Sequence, residues 1–588
     1  MVCSFIGRTR ARMFIAGLTT APLGAVALFA GQGPDPQLEY RTVVLTGQPA
    51  PGQAEGVVFG QLTTPLNHAL LVPRIDQAGR VAFQAMLAGP GVDASNFQSM
   101  WADENGQLAL LARGGQPAPG TPDGVVFVGV PSLEVPFPPE FAGGQAAFFA
   151  TLAGPGVGIL NDEGSWAGPP SALRLVARED DPAPGLPGVR FGFPFARISE
   201  SGVVFVSTDL RGAGVSGTSN SSLWTDRSGA LELVFREGAP APLTEPGTIF
   251  GDTQNTGTAG VFRFVTFDDQ ANLAVVARVI GPAVDSFNDE LLYVERDGAL
   301  ELVVREGDPA PGLGHGVTVG GNSVSLLLQF VSLNNNGRVA FNARLGGSAS
   351  TQTAMFSDRG GALLAEVAPG DPAPGTSFDF SFWGSPLLNN ANQIAFAAAL
   401  PDNDGDPFTP PPFGIWTDAG GALDAALLPG DTTTEGEVVT SAALAGFNTA
   451  GQILTTVGIQ SPTFRTGIAL RTPAGDLRRV AFIGDLFDVS RDGQDMREVI
   501  RVINGGLNEN GAIAFRLDFA GGSSGHFVAT VAGAPAGDLD GDGDVDLTDL
   551  ALLLADFGCM TGGCAGDLDG DGDTDLTDLS LLLGSFGS

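Results

Sequence analysis

The chain has 588 residues, including 85 Gly and 41 Pro; 43% of its residues are hydrophobic, 16% are charged, and its formal charge is −36. This apolar fraction is too high, and this charge density too low, for a mostly disordered chain, so we expect it to fold. All 29 basic residues are Arg and only three residues are His, which excludes a Schiff-base lysine, a phosphate-loop lysine and a histidine-rich metal centre. Such an acidic chain also repels nucleic acid and anionic membrane surfaces.

The N-terminus has the pattern of a secretory signal peptide over residues 1–30. Three Arg precede an uncharged, largely apolar run from Met13 to Ala30 that ends in small residues. This order predicts export with cleavage after Ala27 or Ala30, and an uncleaved N-terminal anchor is the alternative. No later stretch is long and apolar enough to span a bilayer. We therefore expect a secreted, extracellular or cell-surface protein without a transmembrane segment.

The cysteines also bear on the compartment. Cys3 lies in the predicted signal, so Cys559 and Cys564 would be the only cysteines of the exported chain. In an oxidising compartment, such a closely spaced pair predicts a local disulfide, and two unpaired thiols are the alternative. Zinc would need more ligands than this pair offers.

One short signature recurs along the chain. Its close copies are DQAGRVAF at 76–83, NNNGRVAF at 334–341, NNANQIAF at 389–396 and NENGAIAF at 508–515. Weaker copies surround Gly144, Gly202, Asn272 and Gly451, which gives eight copies at intervals of 55 to 70 residues. The central residue is Gly six times and Asn twice, the residues that most readily adopt positive φ. Each copy therefore predicts a tight turn that leads into a short apolar strand.

Further strand segments follow each signature. About twenty residues later, an aromatic residue precedes an acid in five copies: Trp101 and Asp103, Trp224 and Asp226, Tyr293 and Glu295, Phe356 and Asp358, Trp416 and Asp418. Gly follows each of these acids by three residues, which predicts a type I turn between two strands of a hairpin. A Pro-Ala-Pro turn comes next and marks a strand end, because Pro cannot donate to a ladder. A final segment such as GVVFGQL makes the unit four short strands.

Eight four-stranded units predict an all-β fold, an eight-bladed β-propeller over residues 39–532, after a linker at 31–38. Residues 39–52 match the third strand of the unit and its turn, whereas the eighth unit lacks that strand. We therefore expect the N-terminal strand to complete the last blade and close the ring, which removes two exposed sheet edges. An open solenoid, tandem sandwiches or another closed blade count are the alternatives.

The signature resembles that of a family of secreted bacterial proteins marked by tandem N-x-x-G-x-x-A-F repeats, each with one of several C-terminal attachment modules. The resemblance covers roughly residues 39–532. It implies a repeat protein that is attached through its C-terminus, and it supplies no biochemical activity.

Composition changes after a short linker at 533–537. Two segments 29 residues apart are almost identical, DLDGDGDVDLTD at 538–549 and DLDGDGDTDLTD at 567–578. As twelve-position calcium loops with Gly543 and Gly572 at the sharp turn, they place oxygen ligands at alternate positions, which suits calcium. Asp instead of Glu stands at position 12. The predicted ligands of two calcium ions are Asp538, Asp540, Asp542, Asp544, Asp546 and Asp549 in the first loop, and Asp567, Asp569, Asp571, Asp573, Asp575 and Asp578 in the second.

An empty loop with six carboxylates repels itself, so calcium binding should be coupled to folding, and a merely solvated acidic tail is the alternative. LTDLALLLADFG and LTDLSLLLGSFG predict one helix after each loop. A duplicated calcium loop, each copy followed by one helix, resembles a type I dockerin over residues 538–588. The resemblance implies a cohesin-like partner. The positions that often set partner choice in dockerins are Leu547 and Thr548, then Leu576 and Thr577.

Three functions fit these patterns. The first is a non-catalytic, secreted propeller that binds a glycan or a protein and is displayed through its tail. The second is a carbohydrate-active enzyme, a glycosidase or lyase with two carboxylates on the axial face of the propeller. The third is a structural surface protein.

The repeated side chains point away from catalysis. The Arg-Glu pairs at 178–179, 236–237 and 305–306 repeat with the blade, which predicts a structural role. Tyr40 and Tyr293 lie inside predicted strands, which argues against a tyrosine nucleophile. No catalytic residue is assigned, and calcium is the only expected cofactor.

Overall fold

The fold comes from a computed structural model. It describes residues 37–60, 70–129, 139–252, 261–320, 328–349, 352–381, 383–401, 412–461 and 463–531 and, in the C-terminal tail (537–588), residues 537, 539, 545, 547–559, 564, 566, 568, 573–584 and 586. The predicted signal peptide lies outside the described residues.

The first strand, β1 (Leu38–Leu45), precedes eight successive antiparallel sheets. Blade 1 contains β2 (Val58–Phe59), β3 (Arg74–Ile75), β4 (Val81–Ala88), β5 (Gln98–Glu104) and β6 (Gln107–Arg113). Blade 2 contains β7 (Val126–Gly129), β8 (Glu140–Ala142), β9 (Gln145–Ala153), β10 (Glu163–Gly168) and β11 (Arg174–Arg178), with a 3-10 turn at Pro170–Ala172. Blade 3 contains β12 (Val189–Ile198), β13 (Val204–Gly212), β14 (Ser221–Thr225) and β15 (Glu232–Arg236). Blade 4 contains β16 (Ile249–Phe250), β17 (Phe262–Phe267), β18 (Leu273–Ile280), β19 (Glu290–Arg296) and β20 (Ala299–Arg305).

The second half of the chain repeats this order. Blade 5 contains β21 (Val317–Val319), β22 (Leu328–Leu333), β23 (Val339–Gly347), β24 (Thr353–Ser357) and β25 (Leu364–Val367). Blade 6 contains β26 (Leu387–Leu388), β27 (Ile394–Ala399), β28 (Phe413–Thr417) and β29 (Asp424–Leu427). Blade 7 contains β30 (Val438–Phe447), β31 (Ile453–Ser461), β32 (Thr463–Arg471) and β33 (Leu477–Phe482). Blade 8 contains β34 (Leu486–Asp488), β35 (Met496–Leu507), β36 (Ile513–Phe519) and β37 (Ser524–Val531). Two helices follow, α1 (Leu547–Asp556) and α2 (Leu576–Gly584).

The architecture is an all-β, eight-bladed propeller, as predicted. In blades 1 to 7 the strands pair in chain order, from the inner strand to the outer strand, as in β12-β13-β14-β15 of blade 3, whereas in blade 8 β1 pairs with the last strand, β37. In blades 1, 2, 4 and 5 the inner strand is split into two short strands, which both pair with the same second strand. Among the described residues, no helix is long and apolar enough to cross a membrane.

The hydrophobic core lies between neighbouring blades. In β4, every residue from Val81 to Leu87 is buried, because the adjacent blades cover both faces of the strand. Side chains of two adjacent blades share each cluster, as Met100 of blade 1 does with Phe127 and Trp166 of blade 2. This arrangement explains the continuous apolar runs that follow the signature turns.

The N-terminal strand closes the ring, as predicted. β1 pairs antiparallel with β37, from Leu38 opposite Val531 to Leu45 opposite Gly525. The hydroxyl group of Tyr40 also donates a hydrogen bond to the carbonyl oxygen of Val480 in blade 7, at 3.0 Å. The first strand of the chain is therefore the outermost strand of the last blade.

The signature turns hold a positive φ, but one prediction is wrong by one residue. The φ angle is 77° at Gly79 and 61° at Asn392, whereas in blade 4 the positive φ, 69°, belongs to Ala271 and not to Asn272. The carboxylate of Asp268 accepts hydrogen bonds from the backbone and side-chain amides of Asn272, both at 2.8 Å. These bonds hold Asn272 after the turn and leave Ala271 in the left-handed region.

The predicted type I turns are confirmed in three hairpins and wrong in two. The amides of Gly229, Gly361 and Gly421 donate to the carbonyl oxygen of the acid three residues earlier, at 2.7–2.8 Å. After Asp103 and Glu295 the hairpins instead close with two residues at positive φ, Asn105 with Gly106 and Asp297 with Gly298. Such two-residue turns match the twist of the paired strands.

The signature turns bind one another around the axis, and we call these hydrogen bonds the turn ring. At four junctions an Asn side-chain amide donates to a backbone carbonyl of the next blade: Asn334 to Asn389 (2.8 Å), Asn389 to Asn448 (2.9 Å), Asn448 to Asn508 (3.3 Å) and Asn508 to Asp76 (3.0 Å). At the other four, Gly144 N donates to Asp76 Oδ2 (2.8 Å), Gly143 N to Glu200 Oε2 (2.6 Å), Ser201 N to Asp269 O (2.9 Å) and Asn335 Nδ2 to Asp269 Oδ2 (2.7 Å). The ring therefore crosses all eight blade junctions.

A buried histidine lies at the junction of blades 8 and 1. His526 Nε2 is 2.5 Å from the carbonyl oxygen of Leu71, and its ring packs edge-on against Phe83. Arg516 lies directly opposite His526 on the neighbouring strand and binds Asp518. Burial, with a smaller contribution from Arg516, lowers the pKa of His526 from 6.5 to about 3.

We expect Asn508→Ala to destabilise the propeller by about 1–3 kcal/mol, because the substitution removes a hydrogen bond to the carbonyl oxygen of Asp76 in blade 1 and leaves the amide of Ala512 without its hydrogen bond. Urea unfolding of the wild type and the variant measures this difference. Gln107→Ala, at an exposed hairpin position, serves as the control and should stay within about 0.5 kcal/mol of the wild type. Equal losses in both variants would contradict a stabilising role for the turn ring.

We expect His526 to make the fold sensitive to acid. Between pH 6.5 and pH 3 the unfolded chain binds a proton at this residue and the folded chain does not. Above pH 6.5 the protonation of His526 therefore has no effect on the free energy of unfolding. Below pH 6.5 the free energy of unfolding falls by about 1.4 kcal/mol per pH unit. Chemical unfolding at several pH values gives the free energy of unfolding as a function of pH. Below pH 6.5 its slope should be smaller by this amount in His526→Gln than in the wild type. Identical slopes would refute the assignment.

Candidate functional site

The C-terminal tail folds around a small apolar core. Val545, Leu553 and Leu582 are buried there, and other leucines of the two helices and loops pack against them. Both predicted helices form, each directly after an Asp-rich segment. The tail therefore positions the ends of the two predicted calcium loops on either side of one core.

Carboxylates converge at the end of the second loop. Asp573, Asp575 and Asp578 each offer an oxygen atom, and these atoms lie within 4.8 Å of one another. Two oxygens bound to one calcium ion, at about 2.3–2.6 Å each, are at most about 5 Å apart, so this group fits calcium. The hard oxygen donors also match its ligand preference.

The last Asp of each loop bonds back to the loop's beginning. Asp549 Oδ1 accepts a hydrogen bond from the amide of Leu539 at 2.6 Å, and Asp578 Oδ1 accepts one from the amide of Leu568 at 2.7 Å. Both carboxylates are buried. Each bond brings position 12 of a loop next to position 2. The remaining predicted ligands lie outside the described residues: Asp538, Asp540, Asp542, Asp544, Asp546, Asp567, Asp569 and Asp571.

The predicted disulfide is confirmed, since Cys559 and Cys564 are bonded. It lies between the end of α1 and the beginning of the second loop. The sulfur atoms are therefore not available as metal ligands, and the metal-binding capacity of the tail rests on its carboxylates.

The helices also present apolar side chains to solvent. Leu547 and Leu576, at equivalent positions of the two halves, are 72% and 71% exposed. Further exposed side chains form equivalent pairs as well: Leu552 and Leu581, Leu554 and Leu583, Phe557 and Phe586. The leucines of the two helices thus divide into a buried set and an exposed set. A concentration of exposed apolar side chains indicates an interaction surface.

A second group of carboxylates lies where blades 2 and 3 meet. Burial is the largest cause that raises the pKa of Glu163, Glu179 and Asp209, and Arg211 partly offsets the shift of each. Arg211 Nη2 binds Glu179 Oε1 at 2.7 Å. Burial likewise raises the pKa of Glu237, whose Oε2 accepts backbone amides of the adjacent strand. Acids that hold their protons above the ordinary range are suited to proton transfer.

Sequence reasoning did not find this group. Asp209 and Arg211 lie near the end of β13, where Asp209 faces a register shift of β12 between Phe191 and Pro194. In the sequence, Asp209 and Arg211 are only two charged residues at the end of an apolar strand. They indicate no particular chemistry until the acids of the neighbouring blade are placed beside them.

The Arg side chains of the repeated Arg-Glu pairs make structural contacts, as expected. Arg178 Nε and Arg305 Nε donate to the carbonyl oxygens of Asn161 and Asn288, at 2.9 and 2.8 Å, and thereby hold a hairpin loop of their own blade. The hydroxyl group of Tyr293 is buried, and burial raises its pKa to about 12. A tyrosine with this pKa is a poor nucleophile near neutral pH.

Several solved structures have remote similarity to this chain, and one of them is a β-propeller domain. The β-propeller domain of the Trilobed protease from Pyrococcus furiosus is 7% identical, with a TM-score of 0.34, and the match covers 70% of this chain and 97% of that one. Acylaminoacyl peptidase from Pyrococcus horikoshii is 9% identical, with a TM-score of 0.32, over 77% of this chain and 58% of that one. The chain therefore spans less than two thirds of that peptidase. A polysaccharide lyase of family PL25, an ulvan lyase, is 10% identical, with a TM-score of 0.29, over 70% of this chain and 95% of that one.

Curated proteins provide no match to this chain. A family model does, in three overlapping segments at residues 13–258, 144–352 and 318–536. Together these segments contain the whole propeller. The chain belongs to DUF7453, a family of unknown function.

Proposed function

We propose that this protein is a secreted, non-catalytic binding protein whose propeller is displayed through a calcium-dependent, dockerin-like tail. The observation that carries the proposal is the convergence of Asp573, Asp575 and Asp578 at the end of an Asp-rich loop. Carboxylates held this close repel one another unless a cation lies between them. The tail would then acquire its binding-competent shape only with calcium bound.

The proposed location rests on two features. The N-terminal pattern of residues 1–30 is typical of an export signal. The disulfide between Cys559 and Cys564 suits an oxidising compartment outside the cytosol. Together they support attachment at the cell surface or in the extracellular space.

The proposed partner of the tail is a cohesin-like protein domain. The exposed apolar pairs on α1 and α2, such as Leu547 with Leu576, would form the contact surface. Since equivalent residues stand on both helices, two orientations of the partner, related by a half-turn, would present the same side chains. A glycan or a protein is the proposed ligand of the propeller.

A second candidate function is a carbohydrate-active enzyme, a glycosidase or lyase. The carboxylates between blades 2 and 3 favour it, because burial raises the pKa of Asp209 and Glu163 and fits either acid for donating a proton. The ion pair between the buried Glu179 and the exposed Arg211 would orient this group. We prefer the binding function because the acids found in the repeats are engaged in turns and blade contacts.

We expect the metal-free full chain to bind two calcium ions in isothermal titration calorimetry. Asp578→Asn should bind one ion, and the double variant with Asp549→Asn should bind none, because each substitution removes a ligand charge from one loop. Calcium should also protect the tail from limited proteolysis, since binding is coupled to folding. Glu232→Gln, on an exposed strand, is the control and should bind two ions. An absence of heat in the wild-type protein would overturn the proposed attachment.

We expect a glycan screen of the full chain to show binding without release of reducing ends or unsaturated products. Turnover that is lost in Asp209→Asn or Glu163→Gln would establish the enzymatic alternative instead. Arg190→Gln, at an exposed position of blade 3, controls for general damage to the protein. If neither binding nor turnover is found, the propeller is not a glycan-binding module.

A further inference from the structure

The two halves of the tail are almost identical in sequence, so their few differences stand out. The Asp-rich loops differ at one position, where the first has Val545 and the second has Thr574. From the end of the first helix onward, the first half has Asp556 and Cys559 where the second has Ser585 and Ser588. Asp556, Cys559 and Thr574 lie together in the structure.

The carboxylate of Asp556 binds the second loop at two points. Asp556 Oδ2 accepts a hydrogen bond from the amide of Gly566 at 2.8 Å and another from the hydroxyl group of Thr574 at 3.0 Å. Thr574 is buried. Valine at the equivalent position of the first loop has no hydroxyl group, and serine at the position equivalent to Asp556 has no carboxylate. The chemical groups of this contact therefore exist in one half only.

The backbone next to the disulfide holds the same residue. The amide of Gly558 donates to the carbonyl oxygen of Thr574 at 2.8 Å, and the amide of Thr574 donates to the carbonyl oxygen of Cys559 at 3.1 Å. The disulfide then joins Cys559 to Cys564, two residues before Gly566. Thr574 is thus fixed through its side chain and both of its backbone groups.

Fixing Thr574 also fixes its neighbours, Asp573 and Asp575, which belong to the converging carboxylates. Holding ligands in place before the metal arrives reduces the ordering that binding must supply, and groups behind the ligands commonly change metal affinity by about 10–100-fold. Asp556 and the disulfide therefore restrict the positions of Asp573 and Asp575, so that calcium has less ordering of the second loop to supply.

We propose that Asp556 and the Cys559–Cys564 disulfide are positioning elements that make the second loop the higher-affinity calcium site, and that this difference between the loops depends on oxidation. The inference rests on the proposed calcium binding of the tail. Asp556 acts through Thr574 and is not itself a calcium ligand.

Calorimetry of the oxidised, metal-free full chain tests this proposal. The wild type should bind two ions with different affinities, and Asp578→Asn should lose the tighter one. Asp556→Ser introduces the residue found at the equivalent position of the second half, and Thr574→Val the residue found in the first half. Each should weaken calcium binding at the tighter site by about 10–100-fold and leave the affinity of the weaker site unchanged. Thr574→Ser keeps the hydroxyl group and should retain the wild-type affinity. Reduction of the wild type, or Cys559→Ser with Cys564→Ser, should weaken the same site.

The outcomes separate this inference from the proposed function. If the oxidised wild type binds no calcium, the proposed function fails. If it binds two ions, and Asp556→Ser and the reduced protein bind both with unchanged affinities, calcium binding stands and the positioning role is wrong. Limited proteolysis at saturating calcium shows whether the tail of each variant still folds. A variant that binds calcium weakly only because its tail is unfolded would stay sensitive to the protease. Equal weakening of both sites would also contradict the proposal.

Discussion

Buried hydrogen bonds between consecutive signature turns hold the eight blades around one axis. An Asn at the start of a turn makes two kinds of hydrogen bond. The amide of Asn389 donates to the next blade, and its oxygen accepts the amide of Gln393 in its own turn. A short side chain with both a donor and an acceptor can satisfy both, which explains the Asn at the start of four of the turns, whereas the carboxylate of Asp76 only accepts, from the amide of Gly144 in the next blade. Loss of one of these hydrogen bonds would leave a polar group without its partner. The residue types of the signature are therefore restricted by contacts with the neighbouring blade as well as by the fold of their own blade.

Ion pairs also link several neighbouring blades at the outer hairpins. Three of the acids that follow the aromatic residues accept a backbone amide of their own second strand, as Asp226 does from Val204. The acids also bind an Arg of the preceding blade. These interblade pairs join Arg174 to Asp226, Arg227 to Glu295, Arg296 to Asp358 and Arg359 to Asp418. A guanidinium group can bind a carboxylate and a carbonyl oxygen together, as Arg227 does with Glu295 and Ala271. This geometry gives the exclusive use of Arg a structural reason.

Local rules predicted the blades well and the contacts between blades poorly. The turn, hairpin and Pro-Ala-Pro patterns depend on neighbouring residues, so the repeat count and the closing strand could be inferred from spacing alone. The position of Ala271 at a positive φ depends on hydrogen bonds to Asp268, which the repeat pattern does not encode. The split inner strands were missed as well, because their two parts share one pairing strand.

The same distinction applies to the candidate sites. The spacing of the Asp-rich loops predicted carboxylates that could meet, and the described part of the second loop brings three of them together. Asp209 and Arg211 join acids of the neighbouring blade, so no pattern within one repeat could indicate them. The contact between Asp556 and Thr574 was equally hidden, although the two differences between the halves were visible in the sequence.

Pairing of β1 with β37 has a consequence for how the molecule assembles. Leu38 meets Val531 only after almost the entire chain is available, so this ladder has the largest sequence separation in the sheets described. Contacts of that kind form late and slowly. Until this ladder forms, β37 is an open sheet edge to which a strand of another molecule can pair, and β1 has no partner strand. A cell that makes this protein therefore faces its greatest risk of aggregation between the emergence of the first strand and the arrival of the last.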